Sequence, residues 1–409
     1  MPNTHSNFRL LFSMPVIVAA LGYFVDIYDL ILFGIVRVSS LKELGLSPSE
    51  ITDVGAQILN MQMAGMLLGG ILWGILGDKK GRMSVLLGSI ILYSTANFLN
   101  GFVQDVESYM ALRFIAGIGL AGELGAGVTL VSELLPKAIR GYGTMIIASV
   151  GVTGAIAANF IAQSFDWRTA YIIGGVLGFA LLLLRVGLME SEMFKTLKNQ
   201  NIKRGAFFDL FTKKALFVKY LKSIMIGLPL WFCVGILILF SPEFAKELGI
   251  QGVVNAGHAV MLCYIGLTVG DFASGYMSQK AQSRRKIMFV FMGAALALTL
   301  LYLNIAGASS TLFYILCFGI GVACGYWALF ITVAAEQFGT NIRSTVASTV
   351  PNFVRGMVVP MSLAFLALKP YSGVIFAAAV VGAVVFVIGF VALWKLEETF
   401  HKDLDYIEV

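Results

Sequence analysis

Charge is scarce in this sequence: Asp, Glu, Lys and Arg make up 13% of its 409 residues, against roughly 25% in soluble domains. Hydrophobic residues make up 58% and mean hydropathy is +0.86, more apolar surface than a water-soluble fold can cover. Histidine is nearly missing. His5, His258 and His401 are scattered, with no H-E-x-x-H spacing or carboxylate cluster beside them, so metal catalysis lacks its ligands and no metal or other cofactor is expected. The four cysteines, Cys233, Cys263, Cys317 and Cys324, all sit in apolar runs without zinc or redox spacing, which predicts free buried thiols. Gly117, Gly119 and Gly122 satisfy G-x-G-x-x-G, yet no strand precedes them; they read as helix-packing glycines and exclude a dinucleotide fold.

Present instead are apolar stretches of about 20 residues, the length that crosses a hydrocarbon core of about 30 Å as helix. Runs such as Ala377 to Leu393 are apolar on every side, whereas barrel strands would alternate. The first run continues past Phe33 with acidic residues and no small-residue cleavage site, so it is expected to span the membrane and not to be removed. Twelve spans are predicted: 12–35, 54–76, 83–103, 108–134, 142–163 and 169–187, then 220–241, 256–278, 287–307, 312–335, 344–367 and 372–394. The organisation is a six-helix half over 1–187, a lysine-rich cytoplasmic linker over 188–219, and a second half over 220–409 with a short cytoplasmic tail.

Basic residues set the expected orientation, because cytoplasmic loops retain positive charge. With the N-terminus inside, only Arg37, Lys42, Arg168, Lys246 and Lys369 fall in outer loops, and Arg113, Arg185 and Arg355 fall within spans. The other 21 of the 29 lysines and arginines lie inside, so both termini are expected in the cytoplasm. The net charge of +6 is then topology, and nucleic acid is not an expected partner. Internal repetition supports two related halves. Gly74, Asp78, Lys79, Lys80 and Arg82 after span two are echoed by Gly275, Gln279, Lys280 and Arg284 after span eight; Glu133 with Arg140 recurs as Glu336 with Arg343. The offsets of 201 to 203 residues match a parallel repeat, which places a substrate site between the halves near the midplane.

The loop "GILWGILGDKKGRMSVL" from Gly70 resembles the major facilitator superfamily signature G-x-L-x-D-R-x-G-R-R. Span one, "GYFVDIYDLILFG", is similar to the pattern G-N-x-x-E-W-Y-D-F-x-x-Y-G of the metabolite/proton symporters within that superfamily, with Asp26 at the family glutamate and Asp29 at its aspartate. Span four, "RFIAGIGLAGELGAGVTLVSELLPKAIRG", resembles R-x-x-Q-G-x-x-x-G-G-E-W-G-G-A followed by E-x-x-P-x-x-x-R-G. Three departures stand out: Asp26 for Glu, Leu124 for Trp, and Gln279 where the second-half loop has an aspartate. The resemblance implies an all-α membrane protein of the major facilitator fold, twelve transmembrane helices in two halves with pseudo-two-fold symmetry, in the cell (inner) membrane. It also implies a monomer in the bilayer that moves a small solute together with protons, the solutes being commonly di- and tricarboxylates or related acids.

Ionisable residues at mid-bilayer cost at least about 2.5 to 3.5 kcal/mol on insertion scales, so the buried charges carry the chemistry. Asp26 and Asp29 share a helical face, and Arg113 enters span four at a similar depth; the expected pairing is Arg113 with one of these carboxylates, released by protonation. Glu123, about 15 Å further along span four, is a further proton-coupling candidate. The alternatives are a permanent pair that only orients helices, and a Glu123 that only packs. Asp78, Arg82, Glu133, Arg140, Glu336 and Arg343 are expected at a cytoplasmic gate, with solvated pairs as the bland alternative.

Arg355, within "VPNFVRGMVVP", is the expected substrate ligand, since a guanidinium fork suits a carboxylate and Pro351, Gly356 and Pro360 loosen the helix around it. That points to an anionic small molecule, unless an internal acid such as Asp271 neutralises Arg355. Asn352, Trp327, Tyr326, Gln62 and Asn159 are further candidates to line the cavity, with Gln57, Asn60 and Trp231 as weaker ones. The favoured reading is a proton-coupled symporter of a small organic acid. A proton-coupled exporter of a drug, siderophore or metabolite could use the same charges. An enzyme would need a nucleophile with a base, and a sensor an appended domain, for which the 15 residues after Trp394 are too short.

Overall fold

The computed structural model describes residues 10–47, 50–136, 139–186, 207–339 and 342–400. The chain enters through α1 (Met14–Glu43), which starts on Pro15 at its first turn, where a missing N–H costs nothing, and runs 30 residues, about 45 Å. The first half continues with α2 (Glu50–Lys80), α3 (Arg82–Asn100), α4 (Val106–Leu120), α5 (Glu123–Leu134), α6 (Arg140–Val152), α7 (Gly154–Ser164) and α8 (Trp167–Arg185). Here α4 with α5, and α6 with α7, are single crossings interrupted at Ala121–Gly122 and at Thr153. A short α9 (Asp209–Thr212) leads into α10 (Lys214–Phe232), extended by a π-helical turn over Cys233–Ile238 after Pro229. Then come α11 (Ser241–Glu247), α12 (Ala256–Ala281), α13 (Arg284–Leu303), α14 (Ser310–Cys324), α15 (Trp327–Glu336), α16 (Arg343–Gly356) and α17 (Val358–Trp394).

Residues Thr345–Trp394 form one apolar run of 50 residues, about 75 Å of helix and too long for one crossing. Gly373, with φ 78° and ψ 169°, breaks it into two. Among the described residues this makes twelve crossings, as expected. The first is longer than the predicted 12–35, because Arg37 is buried and the helix runs on to Glu43. Likewise α10 begins at Lys214, inside the segment assigned to the linker, whose residues 188–206 lie outside the described part.

Each half is held by the same device. In α2 against α4, Gly65 leaves no room for a Cβ beside the Phe114 carbonyl, Gly69 beside that of Ile118, and Gly117 beside that of Gln62. In α12 against α14, Gly266 meets the Phe318 carbonyl, Gly270 that of Val322, and Gly321 that of Cys263. Helix association in lipid is driven by close packing at small residues, and these six glycines, repeated at offsets of 201 and 204, put the backbones in direct contact. Large apolar side chains face outward, as on Leu183, Val387 and Trp394, where a soluble protein would carry charge. The two ends differ in charge: turns at one end carry Lys79, Lys80, Lys280, Arg284 and Arg285, and those at the other carry Glu43, Glu50, Asp105, Glu107 and Asp166.

The halves touch at both ends. At the acidic end Arg37 of α1 makes a 2.7 Å ion pair with Glu243 of α11 and stacks over Phe240, while Ser362 donates to Asn60 at 2.7 Å. Nearer the basic end Gly125 of α5 packs on Ser348, and Gly74 of α2 on Thr349. At the helix starts of the acidic end, Asp105 caps α4 by accepting from the Ser108 amide and hydroxyl, which hold its carboxylate below the usual range.

Candidate functional site

Between these closures lies a cavity of about 10 Å³, room for no more than one water. Its walls come from Tyr23 and Ile27 on α1, Val152 on α6, Trp231 on α10, Tyr264 on α12, Trp327 on α15 and Arg355 on α16. Both halves therefore contribute, and the conformation is one in which they close on the site.

Arg355 is the centre of the arrangement. It is 1% exposed, and its guanidinium carbon stands 5.6 Å from the ring centres of both Trp231 and Trp327, within cation–π range. The two indoles meet edge to face at 6.2 Å. Asp26 of the other half is the nearest carboxylate, its Oδ2 3.9 Å from Arg355 Nη2. That is an ion pair by charge, though too long for a hydrogen bond. Arg355 Nη2 also reaches the Tyr23 hydroxyl at 3.5 Å, and Trp327 Nε1 donates to that hydroxyl at 3.0 Å. A guanidinium carries five N–H donors; among the described residues Nε and Nη1 of Arg355, and both oxygens of Asp26, have no hydrogen-bond partner. Tyr23 itself fits because Gly151 leaves space for its ring.

The expected pairing of Arg113 with Asp26 or Asp29 is not what forms. Arg113 donates from Nη1 to Asn97 at 2.7 Å and from Nη2 to the backbone carbonyl of Asp29 at 3.2 Å, with its guanidinium over Tyr171. The Asp29 side chain points instead toward Gly174, and its oxygens have no hydrogen-bond partner among the described residues. Asp26 pairs across the interface because it lies one turn nearer Arg355, a contact no spacing in span one could disclose. Nor is Asp271 the acid beside Arg355: its Oδ1 accepts from the Ala328 amide at 3.0 Å.

Glu123 is buried against Arg185 of α8. The two form a bidentate pair of 2.8 and 2.7 Å, and Ser89 donates to the same carboxylate at 3.1 Å. Gly22 of α1 lies directly over this pair, with no room for a Cβ. The sequence registers Arg185 only as a basic residue near the end of a span.

The other candidates scatter. Asn352, one turn from Arg355, donates to the Ala121 carbonyl at the α4–α5 break, 2.8 Å across the interface. Tyr326 turns away to the Ile226 carbonyl at 3.3 Å. Gln62 bonds the Leu30 carbonyl within the first half. Asn159 reaches the sulfur of Met261 near the acidic end. Of the gate residues, Glu336 makes its 2.7 Å ion pair with Arg284, outside the expected set; Arg82 donates to the Gly77 carbonyl and Arg343 to that of Phe338. The side chains of Asp78, Glu133 and Arg140 lie outside the described part. Tyr23 and Tyr264 are cavity residues that the sequence reading missed; the one available signal was that Tyr23 precedes Asp26 by three residues and shares its face.

The chain has similar proteins among those already known. The model of the Major Facilitator Superfamily matches residues 19–359. A niacin transporter, NiaP, of Acinetobacter baylyi is 24% identical over 80% of this chain and 80% of its own length. A gentisate transporter of Corynebacterium glutamicum is 25% identical over 78% and 73%. Among solved structures, the proton:xylose symporter XylE superposes with a TM-score of 0.75, covering 96% of this chain and 97% of the other at 16% identity, a likeness of fold.

Proposed function

Because this chain belongs to the Major Facilitator Superfamily and is therefore a membrane transporter and not an enzyme, we propose that it carries a small organic acid, with flat aromatic carboxylates as the leading class, into the cell together with protons. The observation that carries this reading is the Arg355 guanidinium, buried between two indoles with Nε and Nη1 unclaimed among the described residues. A carboxylate would take Nη2, held only by the long Tyr23 and Asp26 approaches, together with the free Nε or Nη1 as a fork, and a flat ring would pack against Trp231 or Trp327. The names of the relatives, a niacin and a gentisate transporter, support the same substrate class.

Coupling follows from the long Asp26–Arg355 pair. Without substrate the two charges balance each other across the interface. A proton on Asp26 removes that balance, and the substrate carboxylate replaces it as the counter-ion of Arg355. The loaded and empty states are then both free of net buried charge at this point, which favours crossing in either of those states and disfavours half-loaded ones. Asp29 is proposed as a second carboxylate on the same line. Basic turns at one end support a cytoplasmic placement of that end by the positive-inside rule, in the cell membrane, with both termini cytoplasmic and the gate residues on that side. The protein is proposed to work as a monomer, with residues 1–187 and 220–409 rocking about the site.

The test is uptake into liposomes under an imposed inward proton gradient, with nicotinate, benzoate and gentisate set against nicotinamide and xylose. Accumulation of a carboxylate that is lost in Arg355→Ala and uncoupled from the gradient in Asp26→Asn is expected. Accumulation of a neutral or cationic solute indifferent to Arg355, or proton-driven expulsion of solute, overturns the reading in favour of a sugar-type carrier or an exporter.

A further inference from the structure

Asp271 is a buried acid that neither substrate binding nor the Asp26–Arg355 exchange uses. It sits on α12, 1% exposed, one and two turns along from Leu267 and Tyr264, which line the cavity. Its Oδ1 accepts from the Ala328 amide at 3.0 Å, and its Oδ2 has no partner among the described residues. Ala328 is the second residue of α15, whose own N-cap, Tyr326, offers no side-chain cap. The carboxylate thus caps, from a neighbouring helix, the point where the tenth crossing restarts after its break. Gly325, in the break, packs backbone to backbone on Gly270, so the restart cannot drift away from Asp271.

The first half shows that the break does not need this acid. There α4 stops and α5 restarts in the same way, and the residue 201 positions before Asp271 is Gly70. A carboxylate is costly to bury at this depth, so its presence in one half alone calls for a role that half alone has. What begins at the capped point is Trp327, the first residue of α15, whose indole donates to Tyr23 and covers Arg355.

We propose that Asp271 is a positioning residue for substrate selection: through the Ala328 amide it fixes the start of α15, and so holds the Trp327 indole at the angle that favours a flat ring beside the Arg355 guanidinium. The inference rests on the reading of the Arg355 cavity as the substrate site, and two independent readouts separate the two. The first is fluorine NMR of protein labelled with fluorotryptophan; the chain has five tryptophans, and Trp327→Phe assigns the Trp327 signal without any transport. In Asp271→Ala that signal is expected to shift or broaden while the other signals from outside the cavity stay, and Asp271→Asn, which can still accept from the Ala328 amide, is expected to keep it. The second is uptake: Asp271→Ala raises KM for benzoate about tenfold with kcat within twofold and leaves KM for propionate unchanged, and Asp271→Asn restores the benzoate value. Asp271→Gly, which copies the first half, serves if the alanine variant does not fold. A Trp327 signal unmoved in both the alanine and glycine variants, or a loss that lies in kcat and is equal for benzoate and propionate, overturns the proposal. If the wild type carries no carboxylate while the Trp327 signal moves as expected, the substrate reading fails and the positioning of Trp327 by Asp271 stands.

Discussion

In the first half of the molecule two buried arginines are settled locally: Arg185 is held by Glu123 in a bidentate pair, and Arg113 is taken up by Asn97 and a backbone carbonyl. In the second half Arg355 has no acid of its own. Asp271 is committed to a helix start, and the counter-ion of Arg355 is Asp26, on the far side of the interface. The frames around these groups are alike, with Gly65, Gly69 and Gly117 answering Gly266, Gly270 and Gly321. The contrast teaches that the repeat conserves how helices touch and leaves each half free in what it buries. A charge pair that closes only when the halves meet can report on whether they have met, and one closed within a half cannot.

Removing the cation whose acid lies across the interface should give the largest effect. Arg355→Ala is expected to lower carboxylate uptake in liposomes by more than about 100-fold, in keeping with loss of a buried charge-assisted bidentate contact. Arg355→Lys keeps the charge and loses the fork, so it should retain a few per cent. Equal activity of the lysine variant and the wild type would show that charge alone suffices there.

Breaking the locally settled pair should cost stability and leave coupling alone. Glu123→Gln strands a buried guanidinium, a loss of roughly 3–5 kcal/mol, while Glu123→Gln with Arg185→Gln should recover much of it. Denaturant midpoints of the single and double variants measure this. In the variants that fold, the dependence of uptake on the proton gradient should match the wild type. A changed dependence would make Glu123 a proton site after all and erase the contrast between the halves.

The glycine frame predicts a symmetric result. Gly69→Ala and Gly270→Ala each push a Cβ into a carbonyl of the partner helix, and overpacking of this kind costs about 1–3 kcal/mol. Thermal unfolding should fall by similar amounts in the two variants. A much smaller drop in one half would mark that half as the one whose helices can part.

The fold was largely legible in the sequence because a crossing is a local property: about twenty apolar residues, and a break at a glycine such as Gly373. Where legibility stopped, a distant residue had changed the rules. Arg37 and Lys42 ended the first hydropathic run, yet the helix continues to Glu43 because Glu243, 206 residues later, neutralises Arg37. The candidate site divides the same way. Arg355, Trp327, Asp26 and Glu123 could be picked out as polar groups at apolar depth. Their partners could not, since choosing Asp26 over Asp29 for Arg355, or Arg185 for Glu123, depends on how three or four helices rotate against one another, and hydrophobic periodicity is weak in helices that are apolar on most faces.

The smallest effect concerns a cap at the start of α13. In the first half α3 starts after Gly81, at φ 100°, a residue with no side chain of its own to cap it. In the second, α13 starts after Ser283, and Glu398 folds back over it, accepting from the Ser283 hydroxyl and from the Arg284 and Arg285 amides. Arg285 in turn donates to the Leu396 carbonyl at 3.0 Å. Partial burial raises the pKa of Glu398, but these donors outweigh it and hold the carboxylate below its usual range. Because the folded-state pKa is depressed, the stabilisation is fully present above the unfolded value of about 4.3 and is lost as pH falls through the folded value. The group is largely solvent-facing, so screening keeps the effect to about 0.5 kcal/mol. Tryptophan-fluorescence melts of Glu398→Gln should therefore lie slightly below the wild type at pH 7, keep that gap down to about pH 4.3, and converge with it in more acid solution. A gap that instead widens with acid would mean that Glu398 is stabilised in its protonated form, and that the tail and α13 are joined by something other than this cap.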